Sequence, residues 1–140
     1  EIPLRLVGSE MCIRDSVELR VQGWGTALGD RLMFQRALSN LLSNAIRHCP
    51  DGKPVELRIE RLSSEIRLSV ENQGPGIAAE HQSRLFERFY RVGSGRSRLE
   101  GGTGLGLAIV KSIMQLHGGR VEVSSSPLGP TRFTLVFPAD

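Results

Sequence analysis

Cysteine is nearly absent: Cys12 and Cys49 are the only two among 140 residues. They match no metal-ligand spacing and read as free thiols of a reducing compartment. No apolar run is long enough to cross a membrane. No secretory signal with a charged start, apolar middle and small-residue cleavage site is present. An excess of charge of one sign is lacking too, because 18 Lys and Arg against 15 Asp and Glu leave a net charge of only +3. There is no recognition-helix or stacking-platform signature, so nucleic acid is not an expected partner. Internal repeats and long linkers are missing too, which leaves one ordinary domain with room for a real core.

What the chain does have is glycine in one dense stretch, Gly101-Gly102-Thr103-Gly104-Leu105-Gly106-Leu107, running straight into the apolar Ala108-Ile109-Val110-Lys111. Glycine lets backbone N–H groups approach a ligand that a Cβ would push away. A helix beginning there aims its free N–H groups and the positive end of its dipole at the same spot. Phosphate is the anion that suits such a place best. A Walker A loop is excluded, since Val110 precedes Lys111-Ser112 where glycine is needed. The dinucleotide fingerprint is excluded as well, because Leu107 stands where its last glycine belongs. A glycine-rich turn capping a buried helix fits the spacing equally well.

In chain order, residues 1–16 have no sustained period and join poorly to the strand-like stretch after them. They are expected to be a non-native or disordered leader, with the functional domain spanning 17–140. Val17, Leu19 and Val21 alternate with polar residues as in a half-buried strand, and Gly23-Trp24-Gly25 breaks it. Asp30 suits the N-cap of a long helix ending near His48, with Leu38, Leu41, Leu42, Ala45 and Ile46 as its apolar stripe. Asn40, Asn44 and Arg47 fall at i, i+4 and i+7 on another face. Asparagine is a mediocre helix former. An amide oxygen can ligate a hard cation such as Mg2+ that shares phosphate oxygens. From this helix alone, a solvated polar face is slightly the better account.

Val55, Leu57 and Ile59, then Ile66, Leu68 and Val70, alternate with polar residues around Leu62–Glu65, which predicts a β-hairpin. The second strand enters Asn72-Gln73-Gly74-Pro75-Gly76-Ile77, which suits either an acceptor presented to a pocket or a plain Gly-Pro turn. A short helix is expected over Glu80–Arg91, with Leu85, Phe86, Phe89 and Tyr90 as its apolar side. Arginines cluster from Arg84 to Arg98, which suits an anionic ligand or partner. The polar stretch near Arg96–Glu100 has the length of a binding loop or lid. The next helix shows Leu105, Ala108, Ile109, Ser112, Ile113 and Leu116 on one face, widened by Val110 and Met114, and stops at His117-Gly118-Gly119. Val121 and Val123, then Phe133, Leu135 and Phe137, complete a β-α-β-β-loop-α-β-β order. That order predicts an α+β fold with a mostly antiparallel sheet and helices on one face.

Taken together, the motifs carry a resemblance that none carries alone. From about Val17 onward the chain resembles the catalytic ATP-binding domain of bacterial two-component sensor histidine kinases. That family shares its fold with DNA gyrase, MutL and the ninety-kilodalton heat-shock chaperone. Asn40–Ala45 resembles the N box, Asn72–Ile77 the G1 box, Leu85–Arg91 the F box and Gly102–Leu107 the G2 box. Arg47-His48 and the asparagine of G1 are most similar to the heavy-metal (copper or silver) sensor kinases.

The resemblance implies a two-layer α/β sandwich, the Bergerat fold, with a mixed, mostly antiparallel sheet and an ATP lid. It implies ATP and Mg2+ as ligands. Asn44 would coordinate the metal and Asn40 would support the same site. Hydrolysing relatives hold there a glutamate that activates water, which an asparagine cannot do at neutral pH. Arg47 and His48 would contact phosphate. Gly74 and Gly76 of G1, and Gly102, Thr103, Gly104, Leu105, Gly106 and Leu107 of G2, would line the nucleotide. Arg88 and Arg91, or Arg96 and Arg98, would close from the lid, and Lys111 would face solvent. G1 usually opens with aspartate. Asn72 keeps an acceptor for the adenine amino group but loses charge assistance.

None of the three histidines, His48, His81 and His117, is in a phosphoacceptor context. The acceptor histidine would lie on an upstream dimerisation domain, so this segment would not autophosphorylate in isolation. A response regulator would be the downstream partner. Homodimerisation would occur only through the upstream region. The domain would be cytoplasmic and its parent protein would sit in the bacterial inner membrane. A stand-alone ATPase of the same fold, or a degenerate interaction module, are the competing readings.

Overall fold

The computed structural model of the chain describes residues 2–5, 9–14, 17–50, 52–90 and 105–138. The strands are β1 (Ile2–Arg5), β2 (Ser9–Arg14), β3 (Val17–Gln22), β4 (Trp24–Ala27), β5 (Pro54–Arg61), β6 (Glu65–Asn72), β7 (Arg120–Ser125) and β8 (Thr131–Pro138). The helices are α1 (Arg31–His48), α2 (Ala79–Gln82) and α3 (Gly106–Leu116). Segment 1–16, set apart in the sequence, supplies β1 and β2. β1 pairs with β4 in a two-stranded ribbon, and β2 joins a six-stranded sheet of order β2-β3-β5-β6-β8-β7. Every pairing in that sheet is antiparallel except β3–β5. A parallel pair needs a crossover, and here β4 and α1 provide it.

The alternation that predicted the hairpin sorts the sheet into two faces. Val55, Leu57, Ile59, Ile66, Leu68, Val70, Phe133, Leu135 and Phe137 point inward. They form one core with Phe34, Ala37, Leu41 and Ala45 of α1 and Val110, Ile113 and Met114 of α3. Each fully buried side chain of this kind stabilises the fold by about 1.5–3 kcal/mol. The opposite face is charged: Arg67 pairs with Glu65 and Glu122, and Arg132 with Glu71. A dent of about 20 Å³ on that face, lined by Glu56, Arg58, Glu60, Ser69, Glu71 and Arg132, has room for about one water and no more.

Three expectations are corrected. Trp24–Ala27 is a strand: Gly23 (φ +96) turns the chain, and a Cβ there would stand 2.1 Å from the Ile59 carbonyl oxygen. The helix expected over Glu80–Arg91 is only the single turn of α2. Beyond it Arg84, Glu87 and Tyr90 each bond three residues back, and Phe89 has φ +66, which no helix tolerates. Arg91 itself lies outside the described residues. Finally, the buried stripe of α3 is Ala108, Val110, Ile113 and Met114, whereas Ser112 and Leu116 are exposed.

Candidate functional site

α1 starts as its sequence directs. Asp30 accepts the Met33 N–H at 3.1 Å and caps the helix. The 18-residue helix carries Asn40, Asn44 and Arg47 to one side of its buried stripe, and His48 in its last turn, in line with Leu41 and Ala45. Asn40 and Asn44 are half-buried, and Arg47 and His48 reach solvent. Arg47 Nη2 donates to Asn44 Oδ1 at 3.5 Å. Desolvation by surrounding protein, and then the positive charge of Arg47, hold the His48 pKa below its usual 6.5. Both effects favour the neutral imidazole of His48 over its charged form.

Across from α1 stands the start of α3. Leu105 is its N-cap with no side-chain cap bond, and the first intrahelical bond runs from the Ile109 N–H to the Leu105 carbonyl at 2.9 Å. The N–H groups of Gly106, Leu107 and Ala108 thus have no helical acceptor. No acidic residue occupies this first turn, whereas the last turn of α1 holds Arg47 and His48. The two helices meet where Asn40 Nδ2 donates to the Gly106 carbonyl at 3.2 Å.

The third part comes from the sheet. Asn72 ends β6, with Val55 and Thr131 as its register partners and Ser125 beyond Thr131. These side chains share one row at the end of the helix-covered face. Asn72 is 3% exposed. Its amino group donates to the Gln73 carbonyl at 2.8 Å, which leaves Oδ1 without a partner among the described residues. A buried acceptor in that state calls for a ligand or water.

Gly74 and Gly76 are demanded by packing. A Cβ on Gly74 would meet the His48 carbonyl oxygen at 2.7 Å, and one on Gly76 would overlap the Ser126 carbonyl oxygen at 1.4 Å. The G1 turn is thereby wedged between the end of α1 and the β7–β8 turn. The Ile77 N–H donates to Ser125 Oγ at 2.8 Å, and Gln82 Nε2 donates to the carbonyls of Ile77 (2.8 Å) and Ser125 (3.2 Å). The Ser125 and Thr131 hydroxyls are 2.8 Å apart.

Gly106 is thus bonded to Asn40, Asn44 to Arg47, and Gly74 lies against the His48 carbonyl, with Asn40 and Asn44 one helical turn apart on α1. Leu105, Gly106 and Leu107 lie at the start of α3. Arg88 does not join: its guanidinium lies over the Phe89 ring, 5.7 Å from the centroid. Lys111 is exposed. Arg91, Arg96, Arg98, Gly102, Thr103 and Gly104 lie outside the described residues, as does the lid stretch. His81 is hydrogen-bonded to the Tyr90 hydroxyl, and His117 is bonded at both ring nitrogens. Thr131, Ser125 and Gln82 were missed in the sequence. Thr131 shares strand parity with Phe133, Leu135 and Phe137, and extending that alternation one step back would have found it.

The residues fit a magnesium nucleotide. Asn44 offers a neutral oxygen, the ligand type Mg2+ takes. The helix start and Arg47 suit phosphates, and the lone acceptor of Asn72 suits an amino group on a base.

Comparison with known proteins agrees in kind. The family described as "Histidine kinase-, DNA gyrase B-, and HSP90-like ATPase" matches residues 29–140. The sensor histidine kinase CusS of Escherichia coli K12 is 50% identical over 124 residues, covering 88% of this chain and 26% of that protein. The sensor protein IrlS of Burkholderia pseudomallei is 46% identical over 123 residues, again 88% and 26%. The chain thus spans about a quarter of the length of these relatives. Among solved structures, the mycobacterial sensor histidine kinase MprB superposes with TM-score 0.74 at 32% identity, covering 88% of this chain and 80% of that one. Full-length ShkA in complex with AMPPNP gives TM-score 0.72 at 28% identity, covering 88% and 25%.

Proposed function

Because the chain belongs to the histidine kinase-, DNA gyrase B-, and HSP90-like ATPase family, we propose that it is the nucleotide-binding catalytic segment, residues 17–140, of a sensor histidine kinase. It binds Mg-ATP and presents the γ-phosphoryl group to a histidine on a dimerisation domain elsewhere in the parent protein. A response regulator then receives the phosphoryl group. The parent protein is a sensor of the bacterial inner membrane, with this segment in the cytoplasm. No helix among the described residues is long and apolar enough to cross a membrane.

The observation that supports this reading is the buried Asn72 Oδ1 without a partner among the described residues, on the same side as the Asn40–Gly106 and Asn44–Arg47 bonds. AMPPNP in the ShkA neighbour supports the ligand class. Asn44 would hold Mg2+, which when bound would neutralise phosphate charge. Arg47 and His48 contact phosphate oxygens. The N–H groups of Gly106 and Leu107 donate to the same group, and Asn72 Oδ1 accepts from the 6-amino group of adenine. Position 40 carries no carboxylate, so nothing there deprotonates water and the triphosphate keeps its γ-phosphate until a protein nucleophile arrives.

Calorimetric titration of Mg-ATP into the protein tests the reading. A saturable heat with one site per chain is expected, without phosphorylation of the segment itself. No heat at millimolar nucleotide leaves a degenerate interaction module. Phosphate release at the rate of a true ATPase would return the stand-alone enzyme.

A further inference from the structure

We propose that Asn40 is a positioning residue: its side-chain amino group latches the start of α3 to α1 and so sets the direction in which the helix N–H groups point. The inference rests on the nucleotide reading above, in which that helix start is the phosphate end.

Residues 40 and 106 are far apart in sequence, yet Asn40 Nδ2 lies 3.2 Å from the Gly106 carbonyl oxygen in a half-buried setting. Between this bond and the Asp30–His117 bond at the far end, the residues of the two helices that join the core are apolar: Phe34, Ala37, Leu41 and Ala45 of α1 and Val110, Ile113 and Met114 of α3. Apolar contact is non-directional, and on its own it permits a helix to slide or turn by a fraction of a residue. A hydrogen bond to a first-turn carbonyl does not. Gly106 has no Cβ, and one there would sit only 3.9 Å from the Asn40 Cγ, in ordinary contact. Misplacing a binding group by about 1 Å can cost as much as losing it. The N–H groups of Gly106, Leu107 and Ala108 are the groups this bond aims.

A metal-ligand role would use the Asn40 oxygen, whereas the latch uses the nitrogen. The two roles separate by their dependence on Mg2+. Asn40→Ala removes the donor without adding charge. We expect ATP affinity to fall about three- to tenfold, the worth of one neutral hydrogen bond, by the same factor with Mg2+ and with EDTA. Asn40→Asp has the same shape but cannot donate, so affinity falls at least as far under both conditions.

Three results overturn the proposal: an Asn40→Ala protein that binds metal-free ATP like the native chain but loses the gain from Mg2+; an Asn40→Asp protein whose gain from Mg2+ rises; and native-like affinity in both variants. Should the variants fail to fold, the native protein still decides. Its Asn40 side-chain NH2 is expected to exchange slowly with solvent and to show a nuclear Overhauser contact to Gly106 or Leu107, and absence of both removes the latch. A native protein that binds no nucleotide at all defeats the functional reading itself, and the positioning role falls with it.

Discussion

The α1–α3 pair is tied at both ends by a side chain bonded to backbone, and the two ends are built differently. At the far end the Asp30 N–H donates to His117 Nε2 at 3.0 Å, so that nitrogen must be the unprotonated one. His117 Nδ1 then donates to the Ile113 carbonyl at 2.7 Å. Phe34 packs on the imidazole at 4.5 Å between centroids and on Phe137 at 4.8 Å. A Cβ on Gly29 would stand 2.3 Å from the same imidazole. Each polar atom of that ring is used inside the protein. At the near end, Asn40 and Asn72 each spend their amino group on a carbonyl, and neither Oδ1 has a partner among the described residues. The far end of the helix pair spends its polar atoms inside the protein, whereas the near end, together with the end of β6, keeps two acceptors without partners among the described residues.

The comparison can be broken from the far end first. Phe34→Ala removes a buried ring, 5% exposed, and should destabilise the domain by about 3–5 kcal/mol. Denaturant unfolding checks this. The nucleotide affinity of the folded variant at low temperature should be unchanged, and a large affinity loss there would erase the distinction between the ends.

A smaller effect is expected at the near end, where Asn72 can only accept. Its amino group is committed to Gln73 at 2.8 Å, and turning the amide round would set oxygen against oxygen. Inosine triphosphate, which offers a 6-oxo acceptor, should therefore bind on the order of tenfold more weakly than ATP, in line with an unpaired buried polar group. Asn72→Ala should bind both nucleotides alike. Equal binding of the two by the native protein contradicts the assignment.

His117→Ala should cost about 1 kcal/mol, visible as a lower melting temperature, and leave the Mg-ATP affinity where it was.

The smallest effect concerns His48. Its folded pKa lies below the unfolded value of 6.5. The unfolded chain binds the proton more readily, so stability is complete above pH 6.5 and declines as pH falls below it toward the folded pKa. Denaturation midpoints at pH 7.5 and 5.5 should differ in that sense, and His48→Gln should narrow the gap. An unchanged gap would place its origin in other groups.

Much of the frame was legible in the sequence because it is local. The Asp30 cap, the Leu41 and Ala45 part of the α1 stripe and the β5–β6 hairpin each arise from residues within a few positions of one another, whereas Phe34 and Ala37 are buried where Leu38, Leu42 and Ile46 were expected and the latter are only partly covered. The reading failed where distant chain decides the outcome. Trp24–Ala27 becomes a strand by pairing with the distant β1, after Gly23 turns the chain against the Ile59 carbonyl. The stripe of α3 is displaced because α1 and the sheet choose which side to cover, and Met114 rather than Leu116 meets them. In the candidate site, Asn40, Asn44 and Asn72 were singled out through the family resemblance of their motifs. Spacing could not show that the Asn40 nitrogen faces Gly106. Nor could it show that Gly74 and Gly76 answer to His48 and Ser126, since those contacts cross between elements. Thr131 escaped notice because the strand was begun two residues too late.

The account turns on a metal-bearing triphosphate held at Asn44. A fluorescent ATP analogue titrated into the native protein and into Asn44→Ala, each with and without Mg2+, measures that directly. The native protein should bind more tightly with Mg2+, and the variant should lose that gain while retaining its metal-free affinity. The same gain from Mg2+ in both proteins would contradict the account.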